Sequence, residues 1–267
     1  PHHGSDAILY SGEQARPDIH FECRARRDGD EWVINGQKSA WVSNGTIATH
    51  ACTFLSVDRA KGMAGGGVAI IPLNLPGVSR GKPLNKLGQR ALNQGEIFFD
   101  NVRLPKHYMV VQPAGYPFII DNILAVANAG MSAVFTGVAR AAFEEALAYC
   151  KQRIQGGKPI AEHQLVQKKL FDMFIKVESA RALSRAAMLY NASTSPPATQ
   201  YSIAAKVYCT EVSFEVASDA VQLFGGYGLA RELPVEKLFR DARASMIEDG
   251  TNEVLSLAGA RKLIDTY

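Results

Sequence analysis

A chain of 267 residues that is 47% hydrophobic and 21% charged can bury a sizeable core, which excludes a disordered or low-complexity protein. Its formal net charge is only +3, and its basic residues are dispersed; the short clusters Arg24-Arg26-Arg27 and Lys168-Lys169 read as solvated faces, not as a nucleic-acid surface. Cys23, Cys52, Cys150 and Cys209 show no CxxC spacing and no paired histidines, which argues against a metal site or a disulfide framework. They are expected to be reduced, mostly buried thiols of a reducing intracellular compartment.

The first residues, Pro1-His2-His3-Gly4-Ser5-Asp6, match neither a signal peptide nor an ordinary start, and read as a piece that begins in the middle of something. Strand chemistry follows from residue 18 to about 105. Ile19 to Ala25 alternates in part, and Asp28-Gly29-Asp30 makes a turn. Glu31 to Ile34 reads as a short strand, Asn35-Gly36 as a hairpin turn, and Gln37 to Ser43 as the returning strand. Asn44-Gly45 turns again, His50 to Val57 is a strand, Lys61 to Gly67 a flexible glycine loop, and Val68 to Pro72 and Glu96 to Val102 further strands. Short strands separated by turn signals predict an antiparallel barrel or sandwich.

The period changes after Pro113. Phe118 to Gln152 is apolar, rich in alanine and free of proline. Leu165, Leu170, Met173, Phe174 and Val177 recur at helical spacing, predicting a helix over about 161–191. Ser193 to Pro197 breaks it. Helices are expected over 202–224, 235–246 and 251–265. The whole reads as an α+β chain: an antiparallel β-domain over residues 1–112, then an antiparallel helical bundle over 113–267. No apolar run is read as long enough for a membrane span.

The chain reads as organised around Gln222 to Glu253. Gln222-Leu223-Phe224-Gly225-Gly226-Tyr227-Gly228 is a glycine-rich break, where backbone can approach a ligand closely. Glu248-Asp249-Gly250-Thr251-Asn252-Glu253 sets carboxylates beside a glycine and a hydroxyl just before a helix, whose free N–H groups point outward. Each feature has a purely structural reading too: a helix C-cap and turn for the first, an N-cap for the second.

Taken in order, these segments resemble the acyl-CoA dehydrogenase family. Pro1 to Asp6 is similar to the end of its E-P-x-x-G-S-D motif. Asn35-Gly36-x-Lys38-x-x-Trp41-Val42-Ser43-Asn44 is similar to N-G-x-K-x-W-I-T-N. Leu87-Gly88-x-Arg90, Phe98-Phe99-Asp100-x-Val102-x-Leu104-Pro105, Gln222 to Gly228, Arg240-Asp241-Ala242 and Asp249-Gly250-Thr251 complete the set. The resemblance covers the family's middle β-domain and its C-terminal four-helix bundle domain, and leaves out its N-terminal helical domain. It implies an FAD-dependent enzyme that desaturates an acyl-CoA thioester at the α,β bond, hands electrons to an electron-transfer flavoprotein or another acceptor, and assembles as a homodimer or homotetramer.

The roles that follow are implied by that resemblance. Asp249 takes the place of the base, one methylene shorter than the family's glutamate, and Glu248 is the second candidate. Ser5 and Gly250 are substrate contacts. Trp41 is a wall against the flavin and Ser43 a donor near its N5. Arg153, Gln222, Gly225 and Gly226 match positions that hold the ADP half of FAD across a subunit interface, and Thr251 and Glu253 lie near its diphosphate and ribityl chain. Ala127 stands where some members carry the base, and Asn128 where many have an arginine. These departures leave two further readings: a non-catalytic subunit of the same fold, and a flavoprotein acting on a carrier-protein thioester or a non-thioester substrate.

Overall fold

The computed structural model describes residues 4–10 and 16–266, so Pro1 to His3 of the opening motif lie outside the described residues. The chain divides into two compact units. One comprises Pro1–Lys86 and Arg90–Asp121, the other Leu87–Gln89 and Asn122–Tyr267.

After a short helix α1 (Gly4–Tyr10), alternation of side chains builds the sheet of the first unit. Ala25 of β1 (Arg24–Asp28) is buried between exposed arginines, and Ala51, Thr53 and Leu55 of β3 (His50–Ser56) are buried in strict alternation. With β2 (Glu31–Ser43), β4 (Gly66–Pro72), β5 (Val78–Arg80), β6 (Gln94–Pro105) and β7 (Met109–Val111), they form one seven-stranded sheet in the order β5-β6-β2-β1-β3-β4-β7. Every join is antiparallel except β1 to β3, which run parallel at the single pair Arg24 and Ser56. Ile34, Leu55, Ile71, Ile97, Val102 and Leu104 fill its core.

Two sequence expectations fail here. Asn35-Gly36 is not a hairpin turn, because β2 runs straight through it; the hairpin lies one step earlier, where Asp28 faces Glu31 across Gly29-Asp30. The Asn35 side chain serves a bulge instead. Its Oδ1 accepts from the backbone N–H of Asn101 at 2.9 Å, and Asn101 (φ 50°) is the extra residue that shifts β6 from burying Ile97 and Phe99 to burying Val102 and Leu104. Gly36 is glycine because a Cβ there would come within 2.8 Å of the Cys23 Cα. Likewise, 61–67 is no loose loop. Arg59–Gly65 winds into two short 3₁₀ turns that meet at a kink at Gly62 (φ 56°), the first capped by Asp58, and a Cβ on Gly62 or Gly65 would strike the carbonyls of Arg16 or Asp58 at 1.9 or 1.8 Å.

The second unit holds α2 (Tyr116–Gln152, entering from the first unit), a small hairpin of β8 (Ile154–Gln155) and β9 (Lys158–Pro159), α3 (Gln164–Ser193), α4 (Thr199–Phe224), α5 (Pro234–Ser245) and α6 (Asn252–Thr266). Pro234 opens α5 at a position where its missing N–H costs nothing. Gly225, at φ 62°, ends α4 by donating its N–H to the Gln222 carbonyl. α4 packs against α3, α5 and α6, and its Val212, Val216, Ala217 and Ala220 meet Ala139, Ala142 and Ala146 of α2 and Met173 and Val177 of α3 in one core. The membrane reading needs correction: α2 is long and apolar enough to cross a bilayer by length and composition. Its alanines 139, 142 and 146 are fully buried against α3 and α4, the pattern of a core helix.

Candidate functional site

The residues singled out from sequence fall into two groups in the helical unit and a third on the sheet. The first group surrounds the end of α4. Arg153, Gln222, Gly225 and Gly226 come together in one pocket of about 620 Å³, lined as well by Tyr149, Phe224 and Tyr227. Phe224 stacks on Tyr149 with ring centroids 4.0 Å apart, which fixes the floor. The Arg153 guanidinium lies 5.7 Å over the Tyr227 ring, a cation–π contact that leaves its N–H edge available to an anion. The glycines divide by cause. Gly228 is required by packing, since a Cβ would meet the Val221 carbonyl at 2.4 Å. Gly225 is required by its positive φ. Gly226 has neither constraint: a Cβ there would meet nothing within 4 Å.

The second group is the turn between α5 and α6. Asp249 is exposed and left-handed at φ 52°, and Gly250 follows at φ 100°. Thr251 caps α6, its Oγ1 accepting from the Val254 N–H at 3.4 Å, and Glu253 lies exposed in the first turn, where the helix dipole favours an acid. Glu248 is half-buried and engaged: the Gln89 side-chain amide donates to its Oε1. Gln89 arrives there through a latch that unites two sequence motifs. Gly88 packs on the α5 backbone, where a Cβ would lie 2.1 Å from the Arg240 carbonyl. Arg240 donates to the Leu87 carbonyl at 2.8 Å while clasping Glu236 with two bonds of 2.7 and 2.9 Å. The Gln89 backbone N–H donates to the Asp241 carboxylate, which also takes a bond from Lys237.

Sequence reading missed Lys206 altogether. It is 0% exposed on α4, and its ammonium donates to the Gly250 carbonyl at 2.8 Å and to Asn252 Oδ1 at 2.9 Å. Burial pulls its pKa down to about 8, against the opposing pull of Asp249, Glu248, Glu253 and Glu211. A signal was present: Lys206 falls in helical phase with Ile203, Cys209 and Thr210, so a lysine occupies the buried stripe of an amphipathic pattern.

On the sheet, Trp41 and Ser43 lie exposed near the end of β2, Trp41 within a register shift between Lys38 and Val42 and Ser43 just past it. Trp41 is 65% exposed, a large flat side chain that the core leaves out. Ser5 lies in the first turn of α1. Ala127 and Asn128 lie on α2, where Asn128 is buried and donates to the Leu124 carbonyl at 2.8 Å.

A sheet unit followed by a helical bundle, with a glycine-rich pocket and an acidic turn, makes this an α+β protein. The family models give its class: residues 1–102 match the acyl-CoA dehydrogenase middle domain and residues 114–264 the acyl-CoA dehydrogenase C-terminal domain. The chain belongs to the acyl-CoA dehydrogenase family. It is 35% identical over 244 residues to the short-chain specific acyl-CoA dehydrogenase, mitochondrial, of Rattus norvegicus, an alignment covering 91% of this chain and 58% of that protein. The chain thus spans well under two thirds of that relative's length. Among solved structures it is similar to butyryl-CoA dehydrogenase from Megasphaera elsdenii, with TM-score 0.85, 33% identity, and 91% of this chain and 63% of that chain covered. It is also similar to an FAD-dependent dehydrogenase, with TM-score 0.85, 26% identity, and 91% and 65% covered.

Proposed function

We propose that the complete protein is an FAD-dependent acyl-CoA dehydrogenase that desaturates an acyl-CoA thioester at its α,β bond, with Asp249 as the base. The observation that carries this reading is the contrast within the acidic pair. Glu248 is held by Gln89, whereas Asp249 stands exposed in a turn whose backbone is pinned from behind. A carboxylate that must take a carbon-bound proton needs an open face and a fixed direction, so Glu248 is better read as a brace for the 87–89 latch.

The residues present fit a flavin. An uncovered tryptophan offers a flat apolar wall, and Ser43 beside it a hydroxyl donor. Arg153 offers a planar cation to a pyrophosphate, Gln222 an amide, and Gly225 and Gly226 bare backbone with no intramolecular neighbour to fill the space. When bound, the flavin supplies the hydride acceptor at N5. The chain's own part is to remove the α-proton through Asp249 and to polarise the thioester carbonyl with a backbone N–H at that turn, so that negative charge developing on the oxygen is met by a preorganised donor. Thr251 and Glu253 hold the start of α6 beside the cofactor, while Gly250 contacts the thioester.

The same reading takes the domains as 1–112 and 113–267, and gives the protein a homodimeric or homotetrameric assembly and an electron-transfer flavoprotein or other acceptor as redox partner. It places the protein in the cytoplasm or mitochondrial matrix. The test is anaerobic. Saturated acyl-CoA is added to the purified full-length flavoprotein and bleaching of the flavin is followed. Asp249→Asn is expected to slow bleaching by about 100-fold or more, the usual range for a lost general base. Bleaching at the wild-type rate would remove Asp249 from the mechanism.

A further inference from the structure

A buried ammonium is costly unless its hydrogens find acceptors, and the two that Lys206 finds both belong to the acidic turn. They are the carbonyl of Gly250, the residue after Asp249, and the side chain of Asn252, the first residue of α6. Both acceptors are neutral; the carboxylates of Asp249, Glu248 and Glu253 in the turn, and of Glu211 on α4, act on the ammonium through space. The turn needs such a clamp. A non-glycine residue at φ 52° is strained, and such conformations persist only where their surroundings over-determine them. Here the Asn252 N–H donates to the Met246 carbonyl at 3.0 Å, closing the turn, and Asn252 Nδ2 donates to Thr210 Oγ1 at 3.1 Å, tying it to α4. Lys206 holds the carbonyl between those points.

We propose that Lys206 is a positioning residue: through Gly250 and Asn252 its buried ammonium holds the left-handed turn that sets the direction of the Asp249 carboxylate. This rests on Asp249 being the base. Proton abstraction is sensitive to such placement, because a displacement of about 1 Å can cost about 100-fold in rate.

The experiment compares full-length wild-type flavoprotein with Lys206→Met, Asn252→Ala and Asp249→Asn. Three readings are taken: hydrogen exchange of the amides at 250–252, bound flavin, and kcat and KM with butyryl-CoA. Lys206→Met keeps its flavin, exchanges those amides about tenfold faster or more, and loses about tenfold or more in kcat while KM stays within about threefold. Asn252→Ala, which removes one of the two acceptors, shifts exchange in the same direction and decides the matter should Lys206→Met fail to fold. Unchanged exchange overturns the proposal, and so does a loss of kcat that only tracks lost flavin. Asp249→Asn separates the two readings. If it keeps the wild-type kcat while Lys206→Met still loosens the turn, the base is wrong and the clamp stands. If it loses kcat while Lys206→Met changes nothing, the base stands and the clamp fails.

Discussion

The buried ammonium of Lys206 gives folding stability a pH dependence whose sign can be worked out. Its pKa is 10.5 in the unfolded chain and about 8 in the folded one, because burial disfavours the charge. Between those values the unfolded state binds one more proton than the native state, so stability rises with pH; below about 8 and above 10.5 this lysine contributes no slope. At about 1.4 kcal/mol per pH unit, the gain across the window is of order 3 kcal/mol. Cys23 works in the opposite sense. Burial raises its thiol from 9.0 to about 11, so the native state holds that proton longer and stability falls between those values. Burial also lowers the pKa of Lys38 and raises those of Cys52, Cys150 and Cys209, so the wild-type curve alone mixes all of these, and the informative quantity is the difference from Lys206→Met, in which the other groups cancel. Urea unfolding with reductant at pH 7, 8, 9 and 10, followed by circular dichroism, measures it. Wild type is expected to gain on the variant by about 2–3 kcal/mol from pH 7 to 10. A difference that stays constant with pH would refute an ammonium whose charge is disfavoured by burial at this site.

Other substitutions separate packing from binding. Gly228→Ala drives a Cβ against the Val221 carbonyl and should cost about 1–3 kcal/mol in thermal or urea unfolding. Gly226→Ala meets nothing, so stability should move by less than about 0.5 kcal/mol while flavin affinity, titrated on the apoprotein by fluorescence, drops. Leu55→Ala, at a fully buried sheet position, should cost about 2–5 kcal/mol in the same unfolding assay.

Much of this was legible from local chemistry. The change from alternating to helical periodicity near Pro113 marks where α2 begins, Gly225 marks where α4 ends, and the ordered motifs name the family. Asn35-Gly36 misled because the dipeptide that favours a tight turn also serves a bulge. What decided between them was Asn101, 66 residues away, which local pattern does not reach. The apolar length of α2 was likewise misjudged, and the contact of its Ala139, Ala142 and Ala146 with α3 and α4 appears only in the folded chain.

By itself the sequence determined which residues alternate, which recur at helical spacing and which acids and glycines stand beside each other, because these depend on neighbours a few positions apart. Tertiary structure alone decided which glycine is a steric necessity, that Leu87-Gly88 and Arg240-Asp241 form one latch, and that Glu248 is engaged while Asp249 is exposed. It also decided that a lysine 43 positions before Asp249, by its number in the chain, lies beneath that residue's turn. Such facts follow from which backbones approach within hydrogen-bonding distance, and that is set by packing between segments far apart in the chain.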